Sequence, residues 1–148
     1  MPIPALTDDG LLPTGVHDCS LDEVQQRFGQ FQRTDRRCRL MNLLTEFVRD
    51  ATACQLIKAV IVDGSFVTAE DEPGDIDLIL VVPPKSQFPA VLRPFEYNAM
   101  SRRHIQRHFG FDALIAQEGE MDVAEHIEFF AQIRGRPDLR KGMLRITI

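Results

Sequence analysis

Apolar side chains that recur every three or four residues predict helices in the first third of the chain. From Thr34 or Asp35 onward, the recurring apolar positions are Leu40, Met41, Leu43, Leu44, Phe47 and Val48. This spacing is typical of one face of a helix. Ser20, with Glu23 three positions later, matches a capping box and predicts a shorter helix that ends near Gln30.

Shorter apolar runs, and runs in which apolar and polar residues alternate, predict strands. The predicted strands cover residues 58–63, 75–82, 111–117 and 143–148. The first is apolar enough to be buried on both faces of a sheet. Pro83 and Pro84 end the second, because proline cannot donate a backbone hydrogen bond to a neighbouring strand.

Two further helices and one loop are predicted between these strands. A helix is expected after Pro94, and Gly110 is placed to terminate it. Another is expected from Asp122 to about Ile133, because an acidic residue follows Asp122 at the third position. Residues 134–140 are basic and predict a loop.

The resulting order of elements, α-α-β-β-α-β-α-β, predicts one domain of the α/β or α+β class. No internal repeat or linker divides the sequence. We therefore expect a single domain over residues 1–148, with a core over about 35–148. Residues 1–19 are rich in Pro, Gly and Asp without any period, and are expected to form an extended arm.

Composition and charge narrow the classes of function. The 148 residues carry 17 Lys and Arg against 22 Asp and Glu, a formal net charge of −5. This acidic balance makes nucleic acid a less favoured partner. No apolar run approaches the ~18 residues of a membrane span, residues 1–4 lack the features of a secretory signal, and the three cysteines form no paired motif. We expect a cytoplasmic protein with no membrane partner.

The segment most informative about chemistry joins the first two predicted strands. Gly64 and Ser65 directly follow the first strand, and Asp75 and Asp77 open the second after a gap of nine residues. Residues two apart in a strand face the same side, so the two carboxylates are expected to project together. Because neighbouring carboxylates repel each other, a divalent cation would stabilise the pair. Gly64 would let the backbone approach a ligand, and Ser65 would offer its N–H and hydroxyl to a phosphate oxygen.

This segment resembles the signature of the nucleotidyltransferase superfamily, which includes polymerase beta, kanamycin nucleotidyltransferase and the minimal nucleotidyltransferases. Their signature is a hydrophobic residue, Gly, then Gly or Ser, and Asp-x-Asp or Asp-x-Glu after a gap. Asp112, between Phe111 and Ala113, best matches the third carboxylate of that superfamily. The segments D-G-S-F-V-T…P-G-D-I-D-L and K-G-M-L-R-I also resemble small bacterial proteins assigned to this fold. The resemblance covers roughly residues 35–117. It implies a mixed sheet with helices packed mainly on one side.

The resemblance also implies an activity. It is the transfer of a nucleoside monophosphate from a nucleoside triphosphate, expected to be ATP, to a hydroxyl of a protein, an RNA or a small molecule. Asp75 and Asp77 would bind two Mg²⁺ ions, or Mn²⁺ in their place, and Asp112 would bind the ion that activates the hydroxyl. Gly64 and Ser65 would hold the triphosphate. Larger members add a helical domain, so here a partner chain, a homodimer or the protein's own arm would complete the site.

Charge is unevenly distributed around this segment. Residues 61–80 contain six acidic residues and no basic one, whereas residues 131–148 contain five basic residues and one acidic residue. The basic cluster comprises Arg134, Arg136, Arg140, Lys141 and Arg145. It either binds a nucleotide, a nucleic acid or an acidic partner, or forms a solvated loop. A second basic set, expected at the surface and able to contact phosphate, comprises Arg102, Arg103 and Arg107.

The histidines are expected to have structural roles. His17 is expected to pack or cap rather than to catalyse, and His104 and His108 are expected on a solvated helix face rather than at a metal.

For the whole protein, the alternative is a catalytically weak or inactive nucleotidyltransferase-fold binding module, such as one half of a toxin–antitoxin or phage-defence pair. The acid-rich loop and the short chain favour this alternative, and the intact Asp75–Asp77 pair disfavours it.

Overall fold

A five-stranded mixed β-sheet forms the centre of the protein in a computed structural model that describes residues 3–30, 33–119, 121–133 and 135–148. The strands are β1 (Val16–Cys19), β2 (Ala59–Asp63), β3 (Asp77–Val82), β4 (Asp112–Gln117), β5 (Gln132–Ile133), β6 (Arg136–Arg140) and β7 (Met143–Thr147). The central sheet has the order β1-β7-β2-β3-β4, and β5 pairs with β6 in a separate hairpin. The outer pairs β1–β7 and β3–β4 are parallel, and the two inner pairs are antiparallel.

Five α-helices lie in the described part of the chain and cover both faces of this sheet unequally. They are α1 (Leu21–Phe28), α2 (Arg36–Cys54), α3 (Pro94–Met100), α4 (Arg102–Phe109) and α5 (Met121–Ala131). Apolar residues of α1 to α4 share one core with the even-numbered residues of β2 and β3. Residues of α5 form a smaller core with the odd-numbered residues of those strands. The alternation arises because successive strand side chains point to opposite faces.

The long periodic helix is confirmed as α2, and its apolar stripe explains its place in the core. Leu44 and Phe47 are fully buried, as are Val60 and Leu80 on the sheet beneath them. Burial of one such side chain contributes about 1.5–3 kcal/mol. The capping box is also confirmed, because the Ser20 side chain accepts from the Glu23 N–H and Glu23 accepts from the Ser20 N–H. Gly110 ends α4 in the left-handed conformation, with φ +79°.

Three local predictions are wrong. The arm contains a strand, β1, and the basic loop contains β6; both are short strands that depend on pairing with distant or irregular partners. The helix predicted after Pro94 is two helices, because Ser101 takes an extended conformation and its hydroxyl caps α4 by accepting from the His104 N–H. Arg134, in the predicted loop, lies outside the described residues.

No helix within the described ranges is both long and apolar enough to cross a membrane.

The arm is attached to the sheet at Gly142, just before β7. The Gly142 N–H donates to the Leu12 carbonyl at 3.0 Å, and the Met143 N–H donates to the Gly15 carbonyl at 2.9 Å. A methyl group at Gly142 would overlap the carbonyl oxygen of Pro13. The arm therefore crosses the chain at a point where only glycine leaves room for it.

Replacing Gly142 with alanine should displace the arm from β7. We expect the free energy of unfolding to fall by about 1–3 kcal/mol, the usual cost of overpacking, measured by urea denaturation. Gly74→Ala is the matched control, because a methyl group at Gly74 meets no atom within 4 Å. Equal stability of Gly142→Ala and the wild type would contradict this account of the crossing.

Candidate active site

Strand register aligns three aspartates across one end of the sheet. Asp63 at the end of β2 pairs with Asp77 at the start of β3, and Asp77 pairs with Asp112 at the start of β4. Neighbouring strands of a sheet lie about 4.7–4.9 Å apart. The alternation places Asp63 and Asp77 on the α5 face, and Asp112 shares that side with Ala116 of the same strand. The sheet thus presents three carboxylates in a row.

A tight turn at Gly64 brings the fourth carboxylate, Asp75, to this row. Gly64 has φ +96°, a conformation that favours glycine. A methyl group there would lie 3.0 Å from both the Asp75 carbonyl oxygen and the Asp77 nitrogen. A short 3₁₀ turn, Ser65–Val67, follows. The absence of a side chain at Gly64 therefore lets the two ends of the loop meet.

Ser65 holds the Asp75 carboxylate in place. Its N–H and its hydroxyl both donate to Asp75 Oδ1, at 3.0 and 2.9 Å. The same hydroxyl oxygen accepts from the N–H groups of Gly74 and Asp75, at 2.9 and 3.3 Å. The donors expected to face a phosphate thus bind Asp75 in this structure. Ser65 fixes the direction of a carboxylate instead.

Asp63 is buried beside Lys141. Its side chain is nearly inaccessible, and the Lys141 Nζ lies 3.4 Å from Asp63 Oδ2. Neither carboxylate oxygen of Asp63 has a partner with hydrogen-bond geometry in the described part of the chain. Burial raises the pKa of Asp63, and the Lys141 charge opposes that rise. The pair is therefore an ionic contact at low exposure. Removing either partner would destabilise the fold, because the other charge would remain buried without compensation.

Burial and the neighbouring carboxylates both disfavour the charged form of Asp77. Burial, followed by the charges of Asp75, Asp63 and Asp112, raises the pKa of Asp77 to about 6, against the smaller opposing effect of Lys141. A bound cation would relieve this repulsion, so the donor chemistry fits a divalent ion held by Asp75 and Asp77. Among the described residues, no group of three or more Asp, Glu, His or Cys side chains is arranged to hold a metal ion. The protein's own donor set would therefore be two carboxylates, with further ligands from substrate and water.

Two arginines at the start of α2 hold the loop between β2 and β3. Arg37 is almost completely buried, and its guanidinium packs against the rings of Phe28 and Phe66. It donates hydrogen bonds to the carbonyl oxygens of Phe28, Phe66, Thr68 and Glu70. Arg36 donates to the carbonyl oxygens of Pro73 and Gly74, each at 2.8 Å. The acid-rich loop is thus fixed through its backbone.

A cleft of about 630 Å³ opens over Gly64, Ser65, Asp75 and Asp77. The arm forms one wall with residues 9–11, and the Ala69 N–H donates to the Gly10 carbonyl at 2.9 Å. The other lining residues in the described ranges are Thr68, Ala69, Glu70, Gly74, Ile133 and Lys141. The arm, one of the three candidates expected to complete the site, therefore lines the cleft.

The structure brings four of the five predicted site residues to the cleft: Gly64, Ser65, Asp75 and Asp77. The fifth, Asp112, stands beside Asp77 in the sheet register. Its side chain is 60% exposed, and its Oδ1 lies 3.7 Å from the Arg102 Nη2. Asp112 is therefore the third member of the row, but it is paired with a surface arginine.

The three histidines considered in the sequence, His17, His104 and His108, do not line the cleft. His17 Nε2 is 2.7 Å from the Pro13 carbonyl oxygen. The rings of His104 and His108 stack with centroids 5.6 Å apart, and His108 Nε2 lies 3.5 Å from Glu46 Oε1. These contacts agree with packing and surface roles.

Asp63, Arg36 and Arg37 are the site residues that the sequence did not single out, and Lys141 was expected only as one member of the basic cluster. A signal existed for Arg37, because it continues the apolar stripe of α2 and a charged residue on such a stripe is buried. Asp63 also ends a strand that is otherwise apolar. The sequence did not indicate which member of the basic cluster reaches the cleft, because backbone contacts of Lys141 with Ala131 and of Gly142 with Leu12 in the arm determine the position of Lys141.

The fold and the cleft define an α+β protein with a carboxylate-rich cleft at one end of a mixed sheet. The chain belongs to a family of unknown function, DUF6932, whose family model matches residues 4–147. No curated protein and no solved structure matched the chain. The matched region includes every part of the cleft, from the arm to Lys141.

Replacing Arg37 with methionine should leave buried carbonyl groups without donors and loosen the loop. We expect a loss of about 2–4 kcal/mol in the free energy of unfolding, measured by chemical denaturation. Arg39→Met on the same helix is the control. Arg39 pairs with Asp35 at the surface, where such pairs contribute about 1 kcal/mol or less. Similar losses in both variants would contradict a bracing role for Arg37.

The raised pKa of Asp77 should make stability depend on pH in buffer without divalent cations. Unfolded aspartate loses its proton near pH 4 and folded Asp77 near pH 6, so the free energy of unfolding should fall as pH rises between these values. Asp77→Asn should therefore be more stable than the wild type at pH 8, by up to about 3 kcal/mol, and little different at pH 4. Thermal denaturation across this range measures the effect, and exposed Glu125→Gln should leave the wild-type slope unchanged. An unchanged slope in Asp77→Asn would contradict the assignment.

Proposed function

We propose that this protein is a cytoplasmic nucleotidyltransferase-fold enzyme that transfers a nucleoside monophosphate from a nucleoside triphosphate to an acceptor hydroxyl, with Mg²⁺ or Mn²⁺. The observation that carries the proposal is the contact of the Gly64–Ser65 turn with Asp75 and Asp77 at the mouth of a cleft. The mixed sheet, with four helices on one face, supports the same superfamily.

Each residue of the turn has a defined role in this proposal. Asp75 and Asp77 would hold the cation, with Asp112 beside them on β4 as the third carboxylate. Ser65 orients Asp75, and Gly64 leaves room for the segment from Asp75 to Asp77 to pack against the turn. In this proposal the backbone of that turn would face the phosphates. The cation, when bound, supplies the positive charge that offsets the charge of the phosphates and of the leaving pyrophosphate.

The reaction balances without a further co-reactant. The acceptor oxygen forms a bond to the α-phosphorus, the bond from that phosphorus to the bridging oxygen breaks, and pyrophosphate leaves with the electron pair. The hydroxyl proton passes to water. The chain's own residues contribute positioning and charge, which account for most catalysis of phosphoryl-group transfer.

Nucleotide binding and transfer test the proposal directly. Mg²⁺ with ATP should raise the melting temperature of the wild type but not that of Asp75→Ala/Asp77→Ala. Asp138→Ala, which removes an exposed carboxylate outside the cleft, should behave like the wild type. Incubation with each α-labelled nucleoside triphosphate should label an acceptor or release pyrophosphate. Absence of any shift with all four nucleoside triphosphates would contradict the proposal.

One observation favours the second candidate, a binding module without catalysis. Asp112 is paired with Arg102, and only two carboxylates of the described site are left to hold a cation. Such a protein would bind a partner through the same scaffold. Copurification with the product of an adjacent gene, unaffected by Asp75→Asn and without any nucleotide-dependent shift, would support this candidate over the first.

A further inference from the structure

The cleft has a charge deficit that a triphosphate must overcome. Four acidic residues line it, Asp9, Glu70, Asp75 and Asp77, and Asp63 lies buried beside it. Among the described lining residues, Lys141 is the single cation. Divalent cations bound at Asp75 and Asp77 would balance the charge of those two carboxylates, but the outer phosphates would still need a positively charged group beside them.

The backbone on both sides of Lys141 is fixed. Its own N–H donates to the Ala131 carbonyl at the end of α5, at 3.1 Å, and the next N–H, of Gly142, donates to Leu12 in the arm. Its side chain is 18% exposed, so the ammonium is partly desolvated while it still reaches the cleft. Lys141 is therefore held at the junction of the arm, α5 and the sheet, rather than free at the surface.

The other described members of the basic cluster are paired elsewhere. Arg136 contacts Asp138, Arg140 contacts Glu128, and Arg145 makes two hydrogen bonds to Asp18. None of these three lines the cleft. Within the described ranges, Lys141 is thus the member of the basic cluster that the fold directs to the carboxylates.

We propose that Lys141 binds the outer phosphates of the nucleoside triphosphate, and that buried Asp63 is the positioning residue that keeps the ammonium in the cleft. This inference rests on the proposed function. An ammonium group has three donors, and its contact with Asp63 Oδ2, at 3.4 Å, is an ionic one without hydrogen-bond geometry. The ammonium can therefore donate to phosphate oxygens while its charge stays beside Asp63.

The first test is nucleotide affinity measured by calorimetry with ATP, ADP and AMP in the presence of Mg²⁺. Lys141→Met should weaken ATP binding by about 10- to 100-fold, the usual effect of losing a charge-assisted contact, and should change AMP binding little. Lys141→Arg should retain most of the ATP affinity. Arg140→Met, which removes a cation that pairs with Glu128, should match the wild type.

A second variant separates phosphate binding from simple neutralisation of Asp63. Lys141→Met leaves a buried carboxylate without its partner and can fail to fold, so Asp63→Asn/Lys141→Met is compared with Asp63→Asn alone, with folding checked by circular dichroism. If Lys141 contacts phosphate, the double variant still binds ATP about 10-fold or more weakly than Asp63→Asn. If Lys141 only neutralises Asp63, the two bind ATP equally, and the inference is overturned.

The outcomes also distinguish this inference from the proposed function. A wild type that binds no nucleotide overturns both. A wild type that binds ATP, with equal losses for ATP and AMP on removal of Lys141, overturns only the assignment of the outer phosphates to Lys141. A loss specific to ATP and ADP that persists in the Asp63→Asn background supports it.

Discussion

The close approach of two backbone segments at Gly64 determines where Asp75 and Asp77 lie relative to the end of β2. Because Gly64 has no side chain, the segment from Asp75 to Asp77 can return against the end of β2. That return sets the register in which Asp63 faces Asp77, and it places Asp75 within reach of Ser65. A larger residue at this point would separate the loop from the strand, and the cluster would disperse.

Two cations in different surroundings stabilise this arrangement. Arg37 is buried among carbonyl oxygens and fixes the course of the loop, so that its acidic side chains stay clear of the core. Lys141 lines the cleft and offsets the charge of Asp63. Arginine suits the first position because its planar group serves several acceptors at once, and lysine suits the second because it is a compact charge.

Local patterns were sufficient to predict the parts of the fold that depend on nearby residues. The period of α2, the capping box at Ser20 and the Gly-Ser…Asp-x-Asp segment are all short in sequence, and the structure contains the corresponding features. The strand β1 depends on pairing with β7 at the far end of the chain, and the position of Lys141 depends on its contacts with α5 and the arm. No local window contains that information. β6 and the break at Ser101 are local, but a two-residue partner strand with an irregular register and a single capping hydroxyl leave no apolar period to detect.

The pairing of β1 with β7 has a consequence for how the protein is made. The Asp18–Arg145 contact joins residues 127 positions apart, and contacts of such long sequence separation form late and slow folding. During synthesis, β1 in the arm cannot pair with β7 until residues 143–147 have left the ribosome. The wall of the cleft that contains the arm and Lys141 is then among the last parts to assemble, so a nascent chain with a complete acid-rich loop would still lack the cleft.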